Sequence, residues 1–132
     1  WLANHETGPE EIQDELSKRF NYDLTRGVDT LRSNSEFDVS CRGTVQSSLI
    51  CALNSTTFED AIRNAISIGG DSDTLACVTG SIAEALHGIP RDIAEKTLSY
   101  LTGDLIQVAI NFRKRFPLPM EGAASRHNIV SL

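Results

Sequence analysis

Residues 58–88 read FEDAIRNAISIGGDSDTLACVTGSIAEALHG and contain two helical patterns, one on each side of a glycine pair. Apolar residues recur in both at spacings of three and four, the period of one face of an α-helix. The first pattern predicts a helix over 57–66 with a buried stripe of Phe58, Ala61, Ile62, Ala65 and Ile66. The second predicts a helix ending at Gly88, with a stripe of Leu75, Val78, Thr79, Ile82, Ala83 and Leu86.

The rest of the chain has the same helical period in most segments. Further helices are predicted over 9–20, over 45–53, from Pro90 to Gly103, and from Asp104 as the cap to the basic cluster 113–115. Residues 21–42 lose the period and are predicted as loop, with one helical turn near Val28–Leu31 and with Cys41 in the loop. Pro117 and Pro119 are expected to end regular structure. Because five or six helices occur without convincing strand alternation, the sequence predicts an all-α packed domain.

The composition is that of an ordinary globular domain. Of the 132 residues, 40% are hydrophobic and 23% are charged, and no apolar run approaches the roughly 20 residues that a membrane span needs. The net charge of −6 argues against nucleic acid as a partner, since phosphate binding requires clustered Lys and Arg. Three cysteines without C-x-x-C spacing favour a cytoplasmic location, with Cys51 and Cys77 as small buried residues.

Hard oxygen ligands are concentrated at one place, which comprises Gly69, Gly70, Asp71, Ser72, Asp73 and Thr74. Carboxylate and hydroxyl oxygens favour Mg²⁺, Mn²⁺ or Ca²⁺ over Zn²⁺, and glycines let a ligand approach the backbone at a helix amino terminus. The alternative is that Asp71 or Ser72 only caps the following helix, and the residue types alone favour that simpler interpretation. An EF-hand is excluded because Ala76 occupies the position of its obligatory glycine.

The stretch around these ligands, AISIGGDSDTLA at 65–76, resembles the G-G-D-[ST]-D-T signature of the ADP-ribosylglycohydrolase family. The likeness extends to 37–45, 58–61, 80–83 and 88–90, and so runs from Phe37 to near Leu101. It implies an all-α, multi-helix orthogonal bundle. Residues 1–132 would form the carboxy-terminal part of that single domain, which is incomplete without its amino-terminal part.

The resemblance also implies a dinuclear Mg²⁺ or Mn²⁺ centre with Asp71, Asp73 and Thr74 among its ligands. In the family, the other ligands come from a Thr-Asp-Asp motif in the amino-terminal half, and this motif does not occur in the 132 residues. The amino-terminal half of the same protein is therefore the expected partner, and it would also supply the catalytic general base. The implied substrate contacts are Gly69, Gly70 and Ser72, with Val39 and Cys41 near the adenosine end.

Similar enzymes hydrolyse the glycosidic bond between ADP-ribose and a protein side chain or a small compound. An ADP-ribosylated protein or a small ADP-ribosyl compound is thus the implied substrate, and this chain alone is expected to be inactive. The alternative is a non-catalytic, crystallin-like relative that keeps the scaffold for a structural role or for ADP-ribose binding. The intact acid pair favours the enzyme. His87 stands where relatives often carry an aromatic residue, and a surface or packing role is expected for it rather than catalysis.

Overall fold

The computed structural model describes residues 8–33 and 38–116, which form seven α-helices and no strand. The all-α prediction is therefore confirmed. The helices are α1 (Pro9–Phe20), α2 (Val28–Ser33), α3 (Cys41–Leu53), α4 (Phe58–Ile68), α5 (Ser72–His87), α6 (Arg91–Leu98) and α7 (Gly103–Arg115). None of these described helices combines the length and the apolar character required to cross a membrane. Pro117 and Pro119 lie outside the described residues.

Helices α3, α4 and α5 form the centre of the fold. Helices α4 and α5 are antiparallel, because Ala65 and Leu75 share one apolar cluster near their junction while Phe58 and Ala83 share another at their far ends. Helix α3 packs against both, and its fully buried Cys51 belongs to the cluster of Ala65 and Leu75. The turn between α4 and α5, with the acidic residues that follow it, is thus attached to the best-packed part of the molecule.

The amino-terminal helices cover the other side of α3. Leu24, Val28 and Leu31 pack with Leu49 and Ile50 of α3 in a third apolar cluster. Leu24 lies between α1 and α2, and its carbonyl oxygen accepts a 2.6 Å hydrogen bond from Nε2 of Gln13. The loop at 21–27 is therefore fixed to the core although it has no regular structure.

Several predicted helix boundaries are correct and others are wrong. Helix α1 has the predicted limits. Cys41 was expected in a loop but is the first residue of α3, because the hydroxyl of Ser40 accepts a hydrogen bond from the N–H of Gly43 and caps the helix there. Asp104 is not the cap of α7, since Thr102 holds the extended N-cap position and its hydroxyl donates to the Asp104 carboxylate in the first turn. Helix α6 ends at Leu98, before the predicted limit.

Two apolar residues predicted to be buried lie on the outer faces of their helices. Ile66 is 54% exposed, and Ile68 contributes to the core instead because it lies closer to the direction of Ala61 and Ala65 around the α4 axis. Cys77 is exposed. It points away from the buried side of α5, since it is two residues, or more than half a turn, beyond Leu75.

Candidate metal centre at the amino end of helix α5

The two glycines between α4 and α5 make a turn that other residues would strain. Gly69 has φ +82° and ψ −158°, and Gly70 has φ +67°. The first of these conformations is essentially restricted to glycine, because a Cβ would collide with the neighbouring peptide groups. The turn ends α4 and brings the chain directly into the first turn of α5.

The first turn of α5 is held in place by the core. Leu75 is 8% exposed and packs with Cys51 and Ala65. Its carbonyl oxygen accepts a buried 3.3 Å hydrogen bond from the hydroxyl of Ser48 on α3. Asp71 and Asp73 precede Leu75 by about one turn and about half a turn, so their backbone is fixed by contacts that are independent of any ligand.

Asp71 occupies the N-cap position of α5, but its side chain makes no capping hydrogen bond. Two other helices have the ordinary arrangement: the hydroxyl of Ser40 accepts from the Gly43 N–H at 3.0 Å, and that of Thr57 accepts from the Asp60 N–H at 3.1 Å. The simpler interpretation of the motif, in which Asp71 only caps a helix, therefore does not describe this side chain.

The carboxyl group of Asp71 lies beside that of Asp73. The side-chain contact with Asp71 is the largest cause that lowers the pKa of Asp73 below its ordinary value, and hydrogen bonds from the backbone N–H groups of Thr74 and Asp73 act in the same direction. Asp73 and Thr74 are exposed, and Asp71 and Ser72 are half-buried. The turn thus presents two adjacent carboxylates, followed by a hydroxyl, on an accessible surface.

This donor set fits part of a site for a hard divalent cation. Carboxylate and hydroxyl oxygens suit Mg²⁺ and Mn²⁺, and two adjacent acids offset the charge of a cation better than one. Within 8–33 and 38–116, no group of three or more His, Cys, Asp and Glu side chains is arranged to hold a metal ion. Asp71 and Asp73 can therefore bind a cation from one side, and further ligands must come from elsewhere.

Val39 and Cys41 lie at the same end of the bundle as the acid pair. Helices α3 and α5 run in the same general direction, because Ser48 contacts Leu75 near the start of α5 and Ser55 contacts His87 at its end. The amino ends of the two helices therefore point the same way. Both predicted substrate contacts are exposed there, with Val39 at 60%. Val39 and Cys41 thus lie at the same end of the bundle as Asp71 and Asp73, but they are not part of the acid pair itself.

Comparison with known protein families identifies the family to which the chain belongs. The family model of ADP-ribosylglycohydrolase matches residues 1–121. The chain belongs to the ADP-ribosylglycohydrolase family. Membership assigns it to the hydrolases of that type, and it confirms the resemblance inferred from the G-G-D-S-D-T stretch. Searches of curated proteins and of solved structures found no match.

One acidic residue of this family member has a structural position that the sequence did not reveal. The Asp38 carboxylate accepts a 2.8 Å hydrogen bond from the backbone N–H of Ser40 and lies directly over Gly43. A Cβ at Gly43 would be 1.9 Å from Oδ2 of Asp38, so the glycine is needed for this close approach. Hydrogen bonds from the side chain and the backbone of Ser40 lower the pKa of Asp38. The sequence signal for this contact is Gly43, the third residue of α3, because glycine is unfavourable inside a helix unless a close approach requires it.

His87 lies at the other end of α5, about 24 Å along the helix from the acid pair. Its Nε2 is 3.0 Å from the hydroxyl oxygen of Ser55, which itself donates to the carbonyl of Ala52 at 2.6 Å. The Ser55 hydroxyl proton is thus donated to Ala52, so Nε2 of His87 donates to the Ser55 oxygen. This hydrogen bond joins the carboxyl ends of α3 and α5. A shallow cleft of about 290 Å³ adjoins it, lined by Thr56, Thr57, Phe58, His87, Gly88, Ile89 and Pro90.

Proposed function

We propose that this chain contributes Asp71, Asp73 and Thr74 to a two-metal Mg²⁺ or Mn²⁺ centre that hydrolyses the glycosidic bond of an ADP-ribosyl group. Two observations support the proposal. The chain belongs to the ADP-ribosylglycohydrolase family, and Asp71 is placed at a helix N-cap without capping it, beside a second carboxylate. The second observation carries the argument, because the Asp71 side chain makes no capping hydrogen bond and instead lies with a second carboxylate, a pair that suits a divalent cation.

Each residue of the turn has a separate task in this proposal. The two carboxylates hold the cations and balance their charge, and Thr74 adds a neutral oxygen ligand. Gly69 and Gly70 keep side chains away from the backbone, which leaves room for the substrate. Ser72 would contribute a contact beside the acids. When bound, the ions supply Lewis-acid chemistry: they polarise the scissile centre and lower the pKa of an attacking water.

The remaining ligands and the general base would come from the amino-terminal half of the protein through its Thr-Asp-Asp motif. Val39 and Cys41, at the same end of the bundle, would face the adenosine part of the substrate. We infer that an ADP-ribosylated protein or a small ADP-ribosyl compound is the substrate, that the reaction takes place in the cytoplasm, and that residues 1–132 alone do not catalyse it. The acid pair is complete in this chain, which favours an enzyme over a crystallin-like scaffold.

The test joins this chain to an amino-terminal segment of the family that carries Thr-Asp-Asp and measures ADP-ribose release with and without Mg²⁺. The joined protein is expected to be active only with the metal, and Asp73→Asn should reduce the rate by at least about a hundredfold, as expected for loss of a ligand. Asp92→Asn is the matched control, because Asp92 is also an exposed acid in a first helical turn. Equal rates in the two variants would refute the proposed role of Asp73.

A further inference from the structure

Helix α7 has an apolar face that no described part of the chain covers. This α7 face consists of Leu105, Val108, Phe112 and Phe116, whose exposed fractions are 50%, 64%, 63% and 57%. The rings of Phe112 and Phe116 lie 5.0 Å apart and extend the face into one surface. Scattered exposed apolar residues are ordinary on proteins, but a continuous stripe along a whole helix marks an interaction surface.

The opposite side of α7 attaches the helix to the rest of the chain. Ile106 and Ile110 are half-buried, and the Arg113 guanidinium makes a part-buried ion pair with Glu84 of α5. Since the attached side and the α7 face point in different directions, the contact with α5 does not use the apolar stripe. The stripe therefore lies on a side of α7 that is not used in the contact with α5.

Charge is distributed unevenly along α7. Asp104 is in the first turn, and Arg113, Lys114 and Arg115 are in the last. Asp104 and Arg115 are eleven residues apart, which is about three turns, so they lie on the same flank of the α7 face. A helix with an acid at one end of this flank and a base at the other is complementary to a second, identical helix placed antiparallel to it.

The side-chain sizes favour the same arrangement. When two α7 helices lie antiparallel about a two-fold axis, residues near the start of one meet residues near the end of the other. Phe112 then lies opposite Val108 and Ala109 of the second copy, and Phe116 lies opposite Leu105. Each large ring faces a smaller side chain, which allows close packing. A parallel pair would place ring against ring, and it would leave Asp104 of one copy about three helical turns from Arg115 of the other.

We propose that the α7 face is the interface of a two-fold symmetric dimer of this chain, in which Asp104 of each copy pairs with Arg115 of the other. The interface is isologous, so each ion pair occurs twice. Its core is apolar and its charges lie at the rim, which is the usual organisation of protein interfaces.

Analytical ultracentrifugation of the 132-residue chain over a range of concentrations tests the proposal. The chain is expected to dimerise reversibly, and Phe112→Asp should abolish dimerisation while leaving the far-ultraviolet circular dichroism spectrum unchanged, since the ring is exposed. Arg115→Glu should raise the dimer Kd by about tenfold, because two ion pairs become like-charge contacts. Lys114→Glu, the same charge change on the opposite side of α7, should have little effect. The exchange Asp104→Lys with Arg115→Glu should restore the dimer.

Three results would overturn the proposal. One is a chain that stays monomeric at the highest soluble concentration. Another is association that Arg115→Glu and Lys114→Glu weaken equally, which would indicate non-specific adhesion of the apolar stripe. The third is a monomer whose α7 face is buried only on adding the amino-terminal segment of the family or anionic lipid vesicles, which would assign the face to one of those occupants.

Discussion

The carboxyl group of Asp71 lies beside that of Asp73 instead of over the free N–H groups of α5. The two residues belong to the same turn, and their backbone is fixed through Leu75, which the core buries. Two acids placed side by side on a surface repel each other when both are ionised. A divalent cation would remove that repulsion, which is the physical basis for proposing a metal ion at this turn.

Alanine substitutions at three N-cap positions should show whether Asp71 stabilises α5 as a cap. Ser40→Ala and Thr57→Ala are each expected to lower the free energy of unfolding by about 1 kcal/mol, because each removes a capping hydrogen bond. Asp71→Ala should change it by less than about 0.5 kcal/mol, as for an ordinary surface substitution. Urea denaturation of the three variants measures this. If Asp71→Ala lowered the free energy of unfolding by about 1 kcal/mol or more, Asp71 would be shown to cap α5.

Gly69→Ala should destabilise the chain on the order of 1–3 kcal/mol, the cost of holding a non-glycine residue in this region of φ and ψ. Apart from Gly69 and its two chain neighbours, no atom lies within 4 Å of the added methyl group, so the effect would come from the local backbone conformation alone. Gly103→Ala is the control, because that site is equally open but is the first residue of a helix with no positive φ. Thermal unfolding should distinguish the two variants, and equal melting temperatures would contradict the strained turn.

A double-mutant cycle should detect the close approach of Asp38 to Gly43. Gly43→Ala alone is expected to give little or no stabilisation, because the new methyl group displaces the Asp38 carboxylate and breaks its hydrogen bond with Ser40, which offsets the better helix propensity of alanine. In an Asp38→Ala background the same change should instead stabilise the chain, by up to about 1 kcal/mol, since alanine is the better helix former. Additive effects of the two substitutions would show that the residues are not coupled.

The three thiols should differ in reactivity. Burial raises the pKa of the Cys51 thiol to about 12, against the opposing charge of Arg32. Cys51 is therefore protonated and inaccessible at pH 8, whereas Cys41 and Cys77 are exposed. A thiol reagent is expected to modify two cysteines in the native chain and all three in denaturant. Rapid native labelling of Cys51, identified by mass spectrometry, would disprove the packing of α3 against α4 and α5.

The same pKa shift predicts how stability depends on pH. The folded chain binds the Cys51 proton more tightly than the unfolded chain, whose thiol has the ordinary value of 9.0. The resulting stabilisation is fully present below pH 9 and is lost as the pH rises towards about 12. Chemical denaturation over this range should show a steeper loss of stability for the wild type than for Cys51→Ala. Parallel curves would contradict the burial of the thiol.

The apolar period of the sequence was sufficient to predict the helical class and the main elements. It defined α1 to the residue and located α4 and α5 on either side of the glycine pair. Apolar period, glycine and proline are local signals, and helices form through local hydrogen bonds, so the chain itself contains this information. The acid-rich turn was likewise visible as a set of residue types.

Other features could be decided only by the packing of the helices. Ile66 and Ile68 are equally apolar, and the position of the neighbouring helices determines that Ile68 joins the core and Ile66 stays exposed. The exposure of Cys77 has the same cause. The orientation of Asp71 is the most important case for function, because both a helix cap and a metal ligand can follow two glycines. The sequence specified the donor atoms, and the fixed first turn of α5 placed two of them side by side, since that geometry depends on contacts with α3 and α4 that are distant in the chain.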